Sequence, residues 1–356
     1  MFNHPLIFAL LFCMLSACAT QGPASGNESE TVAEEEITET TSEEQTPTPS
    51  DAEATAPDDT TDDATDEPSE PEDEATRTDG TVPDDGSLSG LCEGNFLTTT
   101  AEELAALEHC KTITGSLTLN GVVITELNLT DLQRIEGSLF IHETDGLANL
   151  EGFSGLEFIG QHLKLSDNVG MTSLDGLENL HTIGDELFIS GNPDLVNIDA
   201  LSSITEIPGR MMHIGSNPSL ENLHGLSALV WVGGSVRIWN NNLLFDLEGL
   251  ENLVAVGETA EDDKSLEINY NHSLLNVDAL SGVDKVHGDL KIIENGDLTS
   301  IYGLGHITWV GRDLVINQNW DLPTCAVEAL IDHLGANGGI EGEMMVEGND
   351  DEGSCD

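Results

Sequence analysis

Basic residues are scarce in this chain. Its 356 residues include 10 Lys and Arg against 67 Asp and Glu, a formal charge of −57. Binding nucleic acid requires clustered cations that displace condensed counterions, so that class of function is excluded. An anionic membrane surface is disfavoured for the same reason, whereas such a charge suits solubility in a saline exterior, where screening weakens self-repulsion. A membrane-spanning run is lacking as well, because the apolar stretch from Leu6 to Leu15 is too short to cross a bilayer as a helix. Catalytic signatures are also missing. The 11 His show no His-Glu-x-x-His or other ligand spacing, and no Gly-x-Ser-x-Gly occurs. No EF-hand-like spacing or Gly-Gly-x-Gly-x-Asp repeat supports a calcium site. No metal or cofactor is expected.

What is present is a repeat of about 24 residues. It reads (Ile/Val)-Gly-x-x-Leu-x-Ile-x-x-Asn-x-x-Leu-x-x-Leu-(Asp/Glu)-Gly-Leu-x-x-Leu, and the run from Ile183 through Leu201 is a clear copy. A fixed period of this size implies a solenoid, in which each unit buries its apolar face only against its neighbours. Aligned on the Ile of Leu-x-Ile, the copies fall at Leu119, Ile141, Leu165, Ile189, Ile214, Ile238, Ile268, Ile292 and Ile316. Their spacings are 22, 24, 24, 25, 24, 30, 24 and 24 residues. One extra residue lies between Ile207 and Ile214. A six-residue insertion that includes Glu261-Asp262-Asp263-Lys264 lies between Val256 and Ile268, where it should form a surface loop.

Three residues after the aligned position stand Asn168, Asn192, Asn217, Asn241, Asn271, Asn295 and Asn319, with Thr144 in the second copy. A buried Asn at one corner of each unit can bond backbone groups that a turn leaves unpaired, so the stacked units should carry an Asn ladder. The corner glycines Gly152, Gly176, Gly225, Gly249 and Gly303 give way to Ala200 and Ala279 in two copies. That substitution favours close approach over a strict need for positive φ.

An open stack needs caps. At the start, Thr100-Ala101-Glu102-Glu103 reads as a capping box before the helical run Leu104 to Leu107. At the end, Pro323 suits a first turn, Val327, Leu330, Ile331 and Leu334 fall at helical spacing, and Gly335 is the expected stop. Apart from Cys13 and Cys18, four cysteines remain. Nine units at about 4.8 Å each hold the two ends roughly 40 Å apart, and a disulfide needs Cα atoms within about 7 Å. Cys92 therefore pairs with Cys110 and Cys325 with Cys355, which implies an oxidising compartment.

Residues 1–17 read as a secretion signal, although Met1 to Pro5 carry no Lys or Arg. The following Leu15-Ser16-Ala17-Cys18 resembles the bacterial lipobox, which implies cleavage before Cys18 and lipidation of its thiol. Ala19 differs from the Asp that resembles an inner-membrane retention signal, so the outer membrane is the expected site. Residues 18–90 form a low-complexity Thr-, Glu-, Asp- and Pro-rich linker. It holds 23 acids against Arg77 alone and carries −22 of the −57. It should remain disordered and act as a tether with a coil dimension of roughly 45–50 Å.

The Gly-x-Leu-x-Ile-x-x-Asn-x-x-Leu repeats, with a Cys-bounded helix before them and Leu322-Pro323-Thr324-Cys325 after, resemble the receptor L domain. That resemblance covers 91–356, divided into an N-terminal cap (91–110), repeats (111–321) and a C-terminal cap (322–356). It implies a right-handed β-solenoid of about nine 24-residue coils, related to leucine-rich-repeat folds, with a ligand-binding role. The kinase and Cys-rich modules of the receptors are absent, so hormone signalling is not implied.

One column is not explained by burial. The middle residue of Leu-x-Ile is expected to point outward, and it runs Thr118, Phe140, Lys164, Phe188, His213, Arg237, Glu267, Lys291 and Val315. It holds three of the nine Lys and Arg in 91–356, with one acid; Trp239 shares the face beside Arg237. Phe140, Lys164, Phe188, His213, Arg237, Trp239 and Lys291 are the candidate binding residues, for a protein or glycan ligand. The plain alternatives are chance, or bases that relieve an acidic field. The rival classes are a β-helix carbohydrate-active enzyme built on Asp289 and Asp313 with Glu267 nearby, and a calcium-binding envelope protein. The expectation is a lipid-anchored, non-catalytic envelope binding protein.

Overall fold

The computed structural model describes residues 79–82, 90–258 and 264–355. Cys18, the signal, most of the linker and residues 259–263 of the insertion lie outside these residues. The linker's 79–82 are described and are not disordered as expected: Thr81 bridges Glu93 in antiparallel fashion, and Asp79 Oδ1 accepts from Asn95 N at 2.8 Å. Among the described residues, short strands pair almost wholly in parallel in three long sheets. Two α-helices and two disulfides complete the architecture. No helix among them is long and apolar enough to cross a membrane.

The longest sheet has 11 strands, from Phe96–Thr98 through Glu186–Ser190 to Met344–Met345, each paired with its counterpart in the next repeat. Register follows the repeat. Leu163, Leu187 and Met212 lie side by side, as do Leu165, Ile189 and Ile214, and all six are fully buried. Alternation along a strand explains this, since one face of Leu-x-Ile meets the core and the other does not. Each such side chain contributes about 1.5–3 kcal/mol on burial. A five-stranded sheet (Leu91–Cys92 to Thr182–Ile183) and a six-stranded sheet (Glu206–Ile207 to Gly339–Ile340) stack the Ile/Val-Gly positions in the same way. The extra residue before Ile214 is absorbed at 208–210, because Met211–Gly215 stays in full register with both neighbours.

The Asn ladder is continuous. Asn192 Nδ2 donates to Leu165 O at 3.1 Å in one direction and to Asn217 Oδ1 at 3.1 Å in the other. Its backbone N–H donates to the same Asn217 Oδ1 at 3.2 Å. The pattern repeats from Thr144, whose hydroxyl donates to Asn168 Oδ1 at 2.7 Å, to Asn349, which the repeat alignment does not include. The residue before each ladder position is left-handed. Glu143, Asp167, Ser216, Asn240, Tyr270, Glu294 and Gln318 have φ between 51° and 59°, and Gly191 and Gly348 have φ 71° and 69°. A non-glycine residue there costs about 1 kcal/mol or more, and the ladder's hydrogen bonds offset it at each corner. Residue identity hides this corner, since seven of its nine occupants are not glycine.

The corner glycines fall into two groups. Gly176 and Gly249 have φ of 112° and 114° in open turns. Gly152, Gly225 and Gly303 sit in 3-10 turns outside the left-handed region, the same setting as Ala200 and Ala279. In both groups a Cβ would meet the carbonyl of the preceding repeat, at 2.0 Å for Gly249 and Gly303. Close approach is thus general, and positive φ is confined to two corners.

Both caps are helical. Helix α1 (Ala101–Ala105) carries the full capping box of Thr100 and Glu103, and α2 (Thr324–Ala336) starts after Pro323. Gly335 does not stop α2; the helix runs one residue further and Asn337 closes it, with Nδ2 on His333 O at 2.7 Å. The disulfides join Cys92 to Cys110 and Cys325 to Cys355, as the end-to-end separation requires.

Candidate functional site

The column forms one continuous row on the long sheet. Phe140, Lys164, Phe188, His213, Arg237, Glu267, Lys291 and Val315 are direct cross-strand partners in that order. The row is less exposed than alternation alone implies. Phe140 is 8% and His213 5% exposed, and Thr118 is buried, while Lys164, Phe188, Arg237, Lys291 and Trp239 are half-buried. The reason is lateral packing, because strands about 4.8 Å apart force neighbouring side chains to stack flat on one another. Phe188 and His213 stack at 4.7 Å with 13° between planes. Lys164 Nζ lies 5.7 Å from the Phe188 ring. His213 lies along its own strand, so a Cβ on Gly215 would fall 2.5 Å from His213 Nε2.

The bases are paired. Arg237 Nε lies 3.2 Å from Glu267 Oε2, and Lys291 Nζ lies 3.3 Å from Glu267 Oε1 and 3.2 Å from Asp289 Oδ2. Lys164 Nζ is 3.5 Å from Glu186 Oε2, which also meets His162 Nδ1 at 3.4 Å and Arg210 at 3.6 Å. Glu186 and Asp289 stand two residues before the column on the same face. Sequence reasoning counted one acid because it read one column, and the carboxylates that pair Lys164 and Lys291 also come from its neighbour. Burial pulls the Lys291 ammonium down, but Glu267 and Asp289 outweigh it and the net shift is upward.

That neighbouring column is itself a ladder. Ser116 N donates to Asn95 Oδ1 at 2.8 Å, Ser138 N to Ser116 Oγ at 3.0 Å, and Ser265 N to Ser235 Oγ at 3.0 Å. Asp313 N donates to Asp289 Oδ1 at 3.1 Å, and Glu343 N to Asp313 Oδ1 at 2.8 Å. Asp289 and Asp313 therefore receive strand-start N–H groups. Burial raises the Asp289 carboxyl, but the Asp313 N–H and the Lys291 and Arg312 cations more than compensate, and it titrates below the usual range. A general acid needs the opposite shift. Among the described residues no three His, Cys, Asp or Glu side chains gather so as to hold a metal ion.

His213 has a measurable consequence. Burial, and secondarily Arg237, pushes its pKa down to about 4. Its folded form stays neutral where the unfolded chain, at about 6.5, takes up a proton. The contribution is fully present above the unfolded pKa and is lost as pH falls from about 6.5 to about 4, by at most about 3 kcal/mol. The His213→Phe variant should lose less stability than the wild type over that window. Urea midpoints at pH 7 and pH 4.5 test this, and parallel losses in both proteins would refute it.

With the geometry in place, comparison with known proteins adds one family. Residues 109–201 match the model of the Receptor L domain. The matched part includes the Phe140, Lys164 and Phe188 stretch of the row, whereas His213, Arg237, Trp239 and Lys291 lie beyond it. No curated protein matches the chain.

Proposed function

We propose that residues 91–356 are a ligand-binding domain of the cell envelope that acts without catalysis. The match to the Receptor L domain carries this reading, because that domain suggests an extracellular ligand-binding role. In this proposal the domain is a right-handed β-solenoid of about nine coils, closed by the two disulfide-bonded caps and held by the 18–90 tether. Lipidation of Cys18 anchors it to the outer membrane. The ligand, a protein or a glycan, meets the outer face of the long sheet around Phe188, Arg237 and Trp239. Half-buried aromatic and Arg side chains in a row that lateral packing already holds still lose little entropy on binding. The non-catalytic reading is supported by the backbone bonds that occupy Asp289 and Asp313.

Two experiments test this. Protease shaving of intact cells should release the domain if it faces outward; a protected domain would place it on the periplasmic side. Exchange of Lys164, Arg237 and Trp239 for Ser should weaken binding to cell or matrix extracts by about 30-fold or more, equivalent to about 2 kcal/mol. Trp239→Ser alone, which breaks no ion pair, separates lost contact from lost folding. Unchanged binding in a folded triple variant would refute the site.

A further inference from the structure

A second recognition feature lies on a different sheet. At the C-terminal end of the six-stranded sheet is an open cavity of about 600 Å³ lined by Lys285, His287, Thr308, Trp309, Asn337 and Gly338. Its volume is within the usual range for ligand sites. Lys285 and Trp309 are cross-strand partners. The Trp309 indole is fixed on two sides, by its Nε1 donating to Glu341 Oε1 at 3.3 Å and by the His287 ring packed edge-on at 5.4 Å. Gly338 lets its segment pack closely on the Thr308–Trp309 backbone, since a Cβ there would fall 2.6 Å from Thr308 O and 2.9 Å from Trp309 Cβ.

The polar groups of the cavity are mostly acceptors. His287 Nδ1 lies 3.1 Å from Val256 O, which can only accept, so Nδ1 carries the proton and Nε2 of the neutral ring is left to accept. Thr308 Oγ1 donates to Asp284 O at 3.1 Å, which leaves its lone pairs open. Asn337 donates through Nδ2 to His333 O, which leaves its Oδ1. A ligand that satisfies them must be rich in donors. A cation is opposed by Lys285, which makes no ion pair among the described residues. An anion is opposed by Glu341 and by a chain of net charge −57. Uncharged, hydroxyl-rich and able to lay an apolar C–H face on an indole describes a saccharide, because the ring face carries the negative part of the quadrupole. Trp231 holds the same position three rungs earlier, with Ala255 and Lys285 between, about 14 Å away at the normal strand spacing. Two indoles in one line suit an oligosaccharide better than a single sugar.

We infer that the Trp309 cavity is a binding site for a neutral oligosaccharide, separate from the long-sheet row. The test titrates the full chain with cellohexaose, maltohexaose, fully N-acetylated chitohexaose and polygalacturonate, followed by calorimetry. At least one neutral hexasaccharide should bind at millimolar concentration or below. Trp309→Ala should weaken it about tenfold, while Trp309→Phe retains most of it and Lys111→Ser, at an exposed residue outside both faces, leaves it unchanged. Absence of binding by every neutral probe would overturn the inference. So would strongest binding of polygalacturonate, or undiminished affinity in a folded Trp309→Ala variant. Loss in Lys164→Ser with Trp309→Ala unaffected would assign the sugar to the long-sheet row and leave the proposed function standing.

Discussion

Asn217→Leu unfolds with about 4 kcal/mol less free energy than the wild type, because each ladder Asn bonds buried polar groups of neighbouring repeats. Its Nδ2 donates to Ile189 O at 3.0 Å, and its Oδ1 accepts from Asn192 N at 3.2 Å and from Asn192 Nδ2 at 3.1 Å. Its own N–H reaches Asn241 Oδ1 at 3.2 Å. Leucine has similar volume and keeps the backbone N–H, but it removes the side-chain partner of a carbonyl and of an amide N–H in a site with no exposure, while Asn192 Nδ2 keeps Leu165 O and Ser190 O. Each such loss costs about 1–3 kcal/mol. Asn217→Asp, which keeps the acceptor and loses the donor, should fall between the two. Thr144→Val, at the start of the ladder where only one Asn oxygen is served, should cost about 1 kcal/mol. Equilibrium urea unfolding measures all three. Equal midpoints for Asn217→Leu and Thr144→Val would show that the ladder does not act as a chain of mutually dependent bonds.

Gly249→Ala is expected to cost about 4 kcal/mol, the sum of a backbone and a steric cost. At φ 114° an L-side chain is strained whatever the space, and the added Cβ would lie 2.0 Å from Leu223 O and 2.4 Å from Leu223 C. Those atoms are backbone of the neighbouring repeat, so relief requires the two repeats to separate. Gly303→Ala meets a carbonyl at the same 2.0 Å, from Val277, but its φ is outside the left-handed region and its 3-10 turn matches those of Ala200 and Ala279. Repacking of the kind those two alanines already display should hold its cost to about 1–2 kcal/mol. Thermal unfolding of both variants decides the matter; a Gly303→Ala loss equal to that of Gly249→Ala would show that positive φ contributes nothing.

The division between what was legible and what was not follows repeat geometry. The inward Leu and Ile positions, the Asn corner, the capping box at Thr100 and the cap disulfides are each encoded within one repeat or one cap. A regular spacing of about 24 residues then copies them along the stack. The candidate row was legible as a column, and its members do meet. Its state was not. Alternation makes Phe140 and His213 outward, but outward in a tightly stacked sheet is not exposed: His213 is covered by the stacked Phe188 ring, and Phe140 packs against the tilted His162 ring.

The charges teach the same lesson at longer range. Lys164 and Lys291 read as an excess of free cations because their partners Glu186 and Asp289 stand in the adjacent column. Asp289 and Asp313 read as a possible carboxylate pair, yet their oxygens accept N–H groups from the next repeat. The cavity at Trp309 draws on two repeats and the end of α2, segments that no motif links.

The sequence by itself determined the period, the buried columns, the corner ladder and the fastening of both ends, since these need only local pattern repeated at constant spacing. Tertiary structure alone decided which outward side chains stay accessible, which charges are neutralised and where a cavity opens. Those outcomes depend on lateral neighbours about 4.8 Å away that are 21 or more residues distant along the chain.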